Sequence, residues 1–246
     1  GVQSMVRRVP MMLGPLGGGW LITRFGWTQG VQYALLLCLL LSLLTMLFQW
    51  FMLEPGTGRP ALAAESGAAN FLAVTRSFTP ALRELLVSDI LIRFCERIPY
   101  AFVILWAMNH AGVDAQQYGV LVACEMVTAM ICYIPVAHLA DKYGRRPFVL
   151  VTFVFFTLFP VTLFWADSFG WLALAFVVRG LKEFGEPARK ALIIGEAVPA
   201  LRARTYGAYY LIRDCVVTTG SFLGAWLWSI SPRANFFGAA VCGALG

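Results

Sequence analysis

Apolar runs long enough to cross a membrane, separated by short polar turns, set the pattern of this chain. A helix needs about 20 mainly apolar residues to cross roughly 30 Å of hydrocarbon. By that measure the runs at 1–24, 30–53, 84–109, 116–139, 148–166, 171–195 and 206–229 are predicted transmembrane helices, and 236–246 opens a further one. Most connectors are tight: Phe25-Gly26-Trp27-Thr28 and Asp167-Ser168-Phe169-Gly170 carry turn residues. Residues 54–83 differ, being rich in Pro, Gly, Ala and Ser and holding Arg59, Arg76 and Arg83. They read as a solvent-exposed linker between two bundles. The chain starts at Gly1 without a signal peptide and stops inside an apolar run, so both ends read as cut.

Charge in the loops predicts orientation. One alternate set of loops holds Arg59, Arg76, Arg83, Lys142, Arg145, Arg146, Arg202 and Arg204, whereas the opposite set holds Arg24 and Arg233. Lys and Arg mark the cytoplasmic side, which puts the linker and the 140–147 loop inside and 167–170 outside. Composition strengthens the membrane reading: 59% of residues are hydrophobic, 13% are charged and the mean hydropathy is +0.73. A soluble domain carries about 25% charged residues, so a water-soluble globule is excluded.

The net charge of +6 does not indicate nucleic acid, because the basic residues lie in short segments without interleaved aromatics. The six cysteines (Cys38, Cys95, Cys124, Cys132, Cys215 and Cys242) form no CxxC pair and read as buried free thiols. His110 and His138 sit at helix ends, and neither a metal nor a cofactor is expected. No paired His ligands and no Ser/Lys or Asp dyad suggest an intramembrane enzyme. No Gly-rich phosphate loop with Lys-Ser/Thr indicates ATP use.

An internal repeat is also visible. Residues 1–21 laid over 207–227 without a gap match Gly1 to Gly207, Arg7 to Arg213, Gly14 to Gly220, Gly18 to Gly224, Trp20 to Trp226 and Leu21 to Leu227. The two segments lie six helices apart, the relation expected of two six-helix halves about an axis normal to the membrane. Gly14 and Gly18, like Gly220 and Gly224, stand one turn apart and would let helices approach backbone to backbone, while Pro15 removes a donor and lets its helix bend.

Ionisable residues inside the runs are the candidate chemistry, since each costs several kcal/mol at bilayer depth unless paired or facing a cavity. In 84–109, Asp89, Arg93, Glu96, Arg97 and Tyr100 fall in an arc of about 100°, with Glu96 and Arg97 roughly 20 Å along the helix from Arg83. A second stripe, Arg179, Lys182, Glu183, Glu186, Arg189 and Lys190, spans about 120°. There the spacing pairs Arg179 with Glu183, four residues on. Glu125 shares a face with Tyr118 and Thr128, and Arg7, Arg8, Arg213 and Asp214 complete the set. Asp89, Arg93, Glu96, Arg97, Tyr100, Glu125 and Arg179 are assigned to a central substrate and proton pathway. Glu183, Glu186, Arg189 and Lys190 are assigned to ties between helices. The surplus of bases over acids suits acids elsewhere or an anionic substrate.

Three stretches carry a family resemblance. Gly14-Pro15-Leu16-Gly17-Gly18-Gly19, followed by Phe25-Gly26-Trp27, resembles the GPxxGG fifth-helix motif of the major facilitator superfamily, with Pro10 where that motif has its first Gly. Ala137 to Arg146 resembles the family's cytoplasmic G-x-L-a-D-r-x-G-R-R loop, with Ala137 for the first Gly; Asp141, Gly144, Arg145 and Arg146 are the matching gating-loop residues. Arg179-Gly180-Leu181 through Pro187-Ala188-Arg189-Lys190-Ala191 resembles a tenth-helix pattern of bacterial members.

The resemblance implies an all-α polytopic fold of two pseudo-symmetric six-helix bundles, with the first four helices missing. Residues 1–53 would end the N-terminal bundle as helices five and six, 54–83 would be the cytoplasmic linker, and 84–246 would run from helix seven to the start of twelve. It also implies a monomeric secondary transporter in the bilayer of a bacterial inner membrane, moving a small solute by alternating access. The fifth-helix motif points to efflux by proton antiport. The alternatives are uptake by symport, or a membrane sensor or assembly protein that has kept the fold and lost transport.

Overall fold

The structure, a computed structural model, describes residues 2–52, 67–197 and 201–246. Among the described residues it contains helices and turns alone. α1 (Val2–Met52) is two helices joined at Gly26, whose φ of +76° ends the first without a Cβ to clash. The chain doubles back there, bringing Gly30 against the backbone of Leu21 and Ile22, with Phe25 and Tyr33 in edge contact at 5.1 Å. This is the pair of helices expected over 1–24 and 30–53. The second half of α1 exposes almost every apolar side chain, up to 81% at Phe51, which a bilayer tolerates and water does not.

Three further predicted spans are broken rather than continuous. The run at 84–109 becomes α3 (Pro80–Arg97) and α4 (Phe102–Asn109), because Pro99 supplies no backbone donor. The run at 171–195 becomes α7 (Phe169–Leu181) and α8 (Glu186–Gly195) around a turn at 182–185, with Pro187 in the first turn of α8. That at 206–229 becomes α9 (Arg202–Thr218) and α10 (Gly220–Ile230). Among the described residues, besides the two-part α1, the helices long and apolar enough to cross a membrane are α5 (Ala115–Tyr143) and α6 (Arg146–Leu163). α11 (Pro232–Leu245) closes the chain, capped by the Ser231 hydroxyl accepting from the Ala234 amide at 3.0 Å.

The expected linker is partly structured. Residues 53–66 lie outside the described residues, but Gly67–Arg76 forms α2 and α3 begins at Pro80. Val74, Phe78 and Leu82 are buried against Ala208 and Tyr209 of α9, so this part of 54–83 is packed rather than solvent-exposed. Phe78 sits in the turn between α2 and α3, so one apolar side chain from each helix and one from the turn meet α9 together. The cysteine expectation also needs correction, because Cys38 and Cys215 are exposed.

Two further apolar cores lie beyond the cluster on α9. One joins α4 to α5, α6, α7 and α11 through Val103, Trp106, Leu121, Phe159, Phe176 and Phe236. The other includes Ile92, Val149, Phe153 and Ala188. Close packing comes from backbone contact at glycines: Gly19 lies on the Ala115 carbonyl and Gly119 on that of Pro15, where an added Cβ would stand 2.5 Å from oxygen. Those two contacts fasten α1 to α5. Gly224 lies on the Ile98 carbonyl and Gly220 on the Phe94 ring. Gly14 and Gly18 have nothing within 4 Å of the place their Cβ would occupy, so the matched glycines of the repeat stand in different surroundings among the described residues.

Candidate functional site

The site is built where helices break. The Ile98 carbonyl, freed by the turn at Pro99, accepts from Asn235 Nδ2 at 3.3 Å, and the same amide donates to the Gly224 carbonyl at 2.8 Å. That turn sends Tyr100 toward the interior cavity. On the facing side, Gly180 allows α7 to touch α5: a Cβ there would meet the Glu125 carbonyl at 2.6 Å and Thr128 Cβ at 2.7 Å. Arg179, one residue earlier, is thereby set beside the Glu125 carboxylate. The turn at 182–185 then points Lys182 and Glu183 at the same space, as irregular backbone does at membrane depth where it lines a cavity.

The resulting cavity, about 760 Å³, lies between α1, the α3–α4 turn, α5 and the α7–α8 turn. Its charged lining is Arg8, Arg179, Lys182 and Lys190 with Glu96, Glu125, Glu183 and Glu186. Met11, Ile104, Val122 and Met126 supply apolar wall. Ion pairs join most of these groups into a ladder. Glu96 is held by Arg93 at 2.8 Å and Lys182 at 2.6 Å. Lys182 also faces Glu125 at 3.3 Å, and Arg179 Nε faces it at 3.4 Å. Glu186 takes Arg93 at 3.2 Å, Arg189 at 2.5 Å and Lys190 at 3.3 Å. Arg8 reaches Glu183 at 2.7 Å.

The residues singled out from sequence divide into three groups. Glu96, Tyr100, Glu125 and Arg179 line the main cavity. Arg93, Arg97 and Tyr100 line a smaller one of about 310 Å³ with Arg213 and Asp214, where Arg97 is exposed and stacks over Tyr100 at 5.5 Å. Asp89 lines neither. It is fully buried, paired with Arg189, with Arg213 at 3.3 Å and with the Tyr209 hydroxyl at 3.2 Å. The i,i+4 pairing of Arg179 with Glu183 is also corrected: α7 ends at Leu181, so Arg179 meets Glu125 and Glu183 meets Arg8. Lys182 and Arg8, assigned no site role from sequence, face the cavity, as do Glu183, Glu186 and Lys190, which were assigned to helix ties.

In the cytoplasmic-loop motif, Gly144 has φ +90°, which ends α5 and lets α6 start at Arg146. Arg145 donates to the Ala191 carbonyl of α8 at 3.4 Å.

Comparison with known proteins decides the family. The sequence model of the Major Facilitator Superfamily matches residues 85–246, from within α3 through α11 and thus across every element of the cavity except α1. The chain belongs to the Major Facilitator Superfamily. It is accordingly an all-α, multi-pass membrane protein. A relative from Cupriavidus pinatubonensis, named "Probable 4-methylmuconolactone transporter", is 29% identical over 132 residues. That alignment takes in 52% of this chain and 30% of the relative's length. No solved structure matches.

Proposed function

We propose that this chain supplies the cavity wall and second bundle of a secondary active transporter that moves a small solute by alternating access, coupled to protons, in a bacterial inner membrane. The observation that carries the reading is the cavity itself: four acids and four bases facing about 760 Å³ of space inside an apolar helical bundle. Such a concentration of ionisable groups at membrane depth is costly and marks a pathway. Superfamily membership and a relative named as a transporter support it. Glu96 and Glu125 are the candidate proton carriers, each beside cations that a change of bundle angle would move. Asp141, Gly144, Arg145 and Arg146 are assigned to the cytoplasmic gate.

Direction has two readings. The fifth-helix stretch favours efflux by antiport. The placing of Glu125 against two cations favours symport of a proton with an anion, since neutralising Glu125 takes the paired carboxylate from Arg179 and one of two from Lys182. A proteoliposome assay of the full-length protein under an imposed pH gradient separates them by the sign of solute movement. Glu96→Gln or Glu125→Gln is expected to abolish gradient-driven flux and to keep solute exchange, because the amide imitates a protonated carboxyl. Gradient-driven flux unimpaired in both variants removes the coupling assignment. Absence of flux for any solute favours the sensor or assembly reading.

A further inference from the structure

The two carboxylates that share Lys182 are held differently, and the difference singles out a binding site. Glu96 is gripped at 2.8 and 2.6 Å by two cations. Glu125, more deeply buried than Glu96 with 5% of its side chain exposed against 21%, has its nearest cations at 3.3 and 3.4 Å, beyond the roughly 2.7–2.9 Å of a charge-assisted hydrogen bond. Its partner Arg179 is 8% exposed, and the buried Nε finds no hydrogen-bond partner among the described residues. The guanidinium is instead fixed by three rings, Phe159 at 5.1 Å, Phe176 at 5.5 Å and Tyr100 at 5.8 Å. An arginine caged by aromatic faces, with Tyr118 beside it and its Nε unpaired among the described residues, that opens on a cavity is pre-positioned for a planar anion.

We propose that Arg179 and Lys182 form the carboxylate-binding subsite of the transported solute, with Glu125 as the resident anion that the solute's carboxylate replaces. The inference rests on the transport reading and names its substrate class, a small organic acid. The acid's carboxylate meets Arg179 and Lys182, and its body lies on Met11, Ile104, Val122 and Met126. Two anions cannot share the two cations without repulsion, so Glu125 takes a proton from water as the solute arrives. The proton comes from a hydronium ion, which is left as water, and forms the carboxyl O–H of Glu125; no other covalent bond changes, and one proton travels with each carboxylate. By linkage, proton and anion then tighten one another's binding, which is the thermodynamic basis of symport.

The groups around Glu125 are consistent with this assignment. Tyr118 stands on its own helix, Arg179 and Lys182 come from the end of α7, and Glu96 and Tyr100 from the α3 side. Arg8 of α1 is neutralised by Glu183, and Lys190 of α8 by Glu186. Arg179, and Lys182 which Glu125 shares with Glu96, are the cations nearest to Glu125.

The test uses the full-length protein in detergent and in proteoliposomes. Acetate, benzoate and 4-methylmuconolactone are the probes, with methyl benzoate as the uncharged control. At least one acid is expected to bind, more tightly at acid than at neutral pH, and methyl benzoate is not. Glu125→Gln should hold the acid-pH affinity at neutral pH. Arg179→Lys should weaken binding about tenfold by loss of the fork. If that variant does not assemble, Glu125→Gln carries the test. Wild-type pH dependence in Glu125→Gln, unchanged affinity in an assembled Arg179→Lys, or equal binding of methyl benzoate overturns the site. Flux of an uncharged solute without binding of any acid overturns the anion site and leaves the transport reading standing. No flux of any solute overturns both.

Discussion

Asp89 and Glu125 are buried to nearly the same degree, 0% and 4% exposed, yet the structure treats them in opposite ways. Both oxygens of Asp89 are engaged: Arg189 on one, Arg213 and the Tyr209 hydroxyl on the other. Three elements, α3, α8 and α9, are fastened there. Glu125 makes two looser contacts and opens on a cavity. Taking a carboxylate out of water costs several kcal/mol in either place. At Asp89 that cost is offset by hydrogen bonds, whereas at Glu125 it is offset only by longer-range attraction. Burial and charge alone therefore do not distinguish a structural tie from a working site. The completeness of the hydrogen bonding does.

The comparison can be broken by stability measurements in detergent. Asp89→Asn removes the buried anion that Arg189 and Arg213 share, leaving them Glu186 and Asp214, and is expected to cost about 3–5 kcal/mol of stability. A wild-type thermal midpoint in Asp89→Asn, together with lost transport, would return Asp89 to the pathway. Gly180→Ala comes next, because a Cβ 2.6 Å from the Glu125 carbonyl forces α7 away from α5. It should cost about 1–3 kcal/mol and weaken anion binding through displaced Arg179. Glu125→Gln should cost about 1 kcal/mol or less, since Arg179 keeps its three rings and Lys182 keeps Glu96. A loss as large as that of Asp89→Asn would mean that Glu125 is a tie as well.

Much of this was legible in the residues, but with a consistent blind spot. The apolar runs marked where the chain turns, and the stripe on α3 marked its polar face. A stripe tells which side of a helix a residue takes, not which neighbour it meets: Asp89 turns to α8 and α9, and Glu96 two turns later reaches the cavity. Arg179 was paired with Glu183 by the rule for a continuous helix, and the break after Leu181 voided it. The signals for that break, Gly185 and Pro187, were present but sit inside a charged stripe whose spacing fits one continuous helix. Lys182 was overlooked as a site residue because its significance depends on two carboxylates, Glu96 and Glu125, from helices far apart in the chain. The apolar set of Val74, Phe78 and Leu82 was hidden by the small-residue composition around it.

The smallest expected effect concerns Arg97, which shares the α3 stripe with Asp89 but follows neither pattern. It is exposed, and among the described residues it makes no ion pair; its contact is the Tyr100 ring at 5.5 Å. An exposed cation over a ring contributes about 0.5–1 kcal/mol, so Arg97→Gln should change the thermal midpoint little. Its position gives it a different reach: it borders the smaller cavity with Arg213 and Asp214, and Tyr100 faces both cavities. If anion capture belongs to Arg179 and Lys182, Arg97→Gln leaves the affinity for the organic acid unchanged at both acid and neutral pH. A loss of affinity comparable to that of Arg179→Lys would move the carboxylate subsite to the Arg97 side of Tyr100, and Glu125 would then lose its role as the anion that the solute replaces.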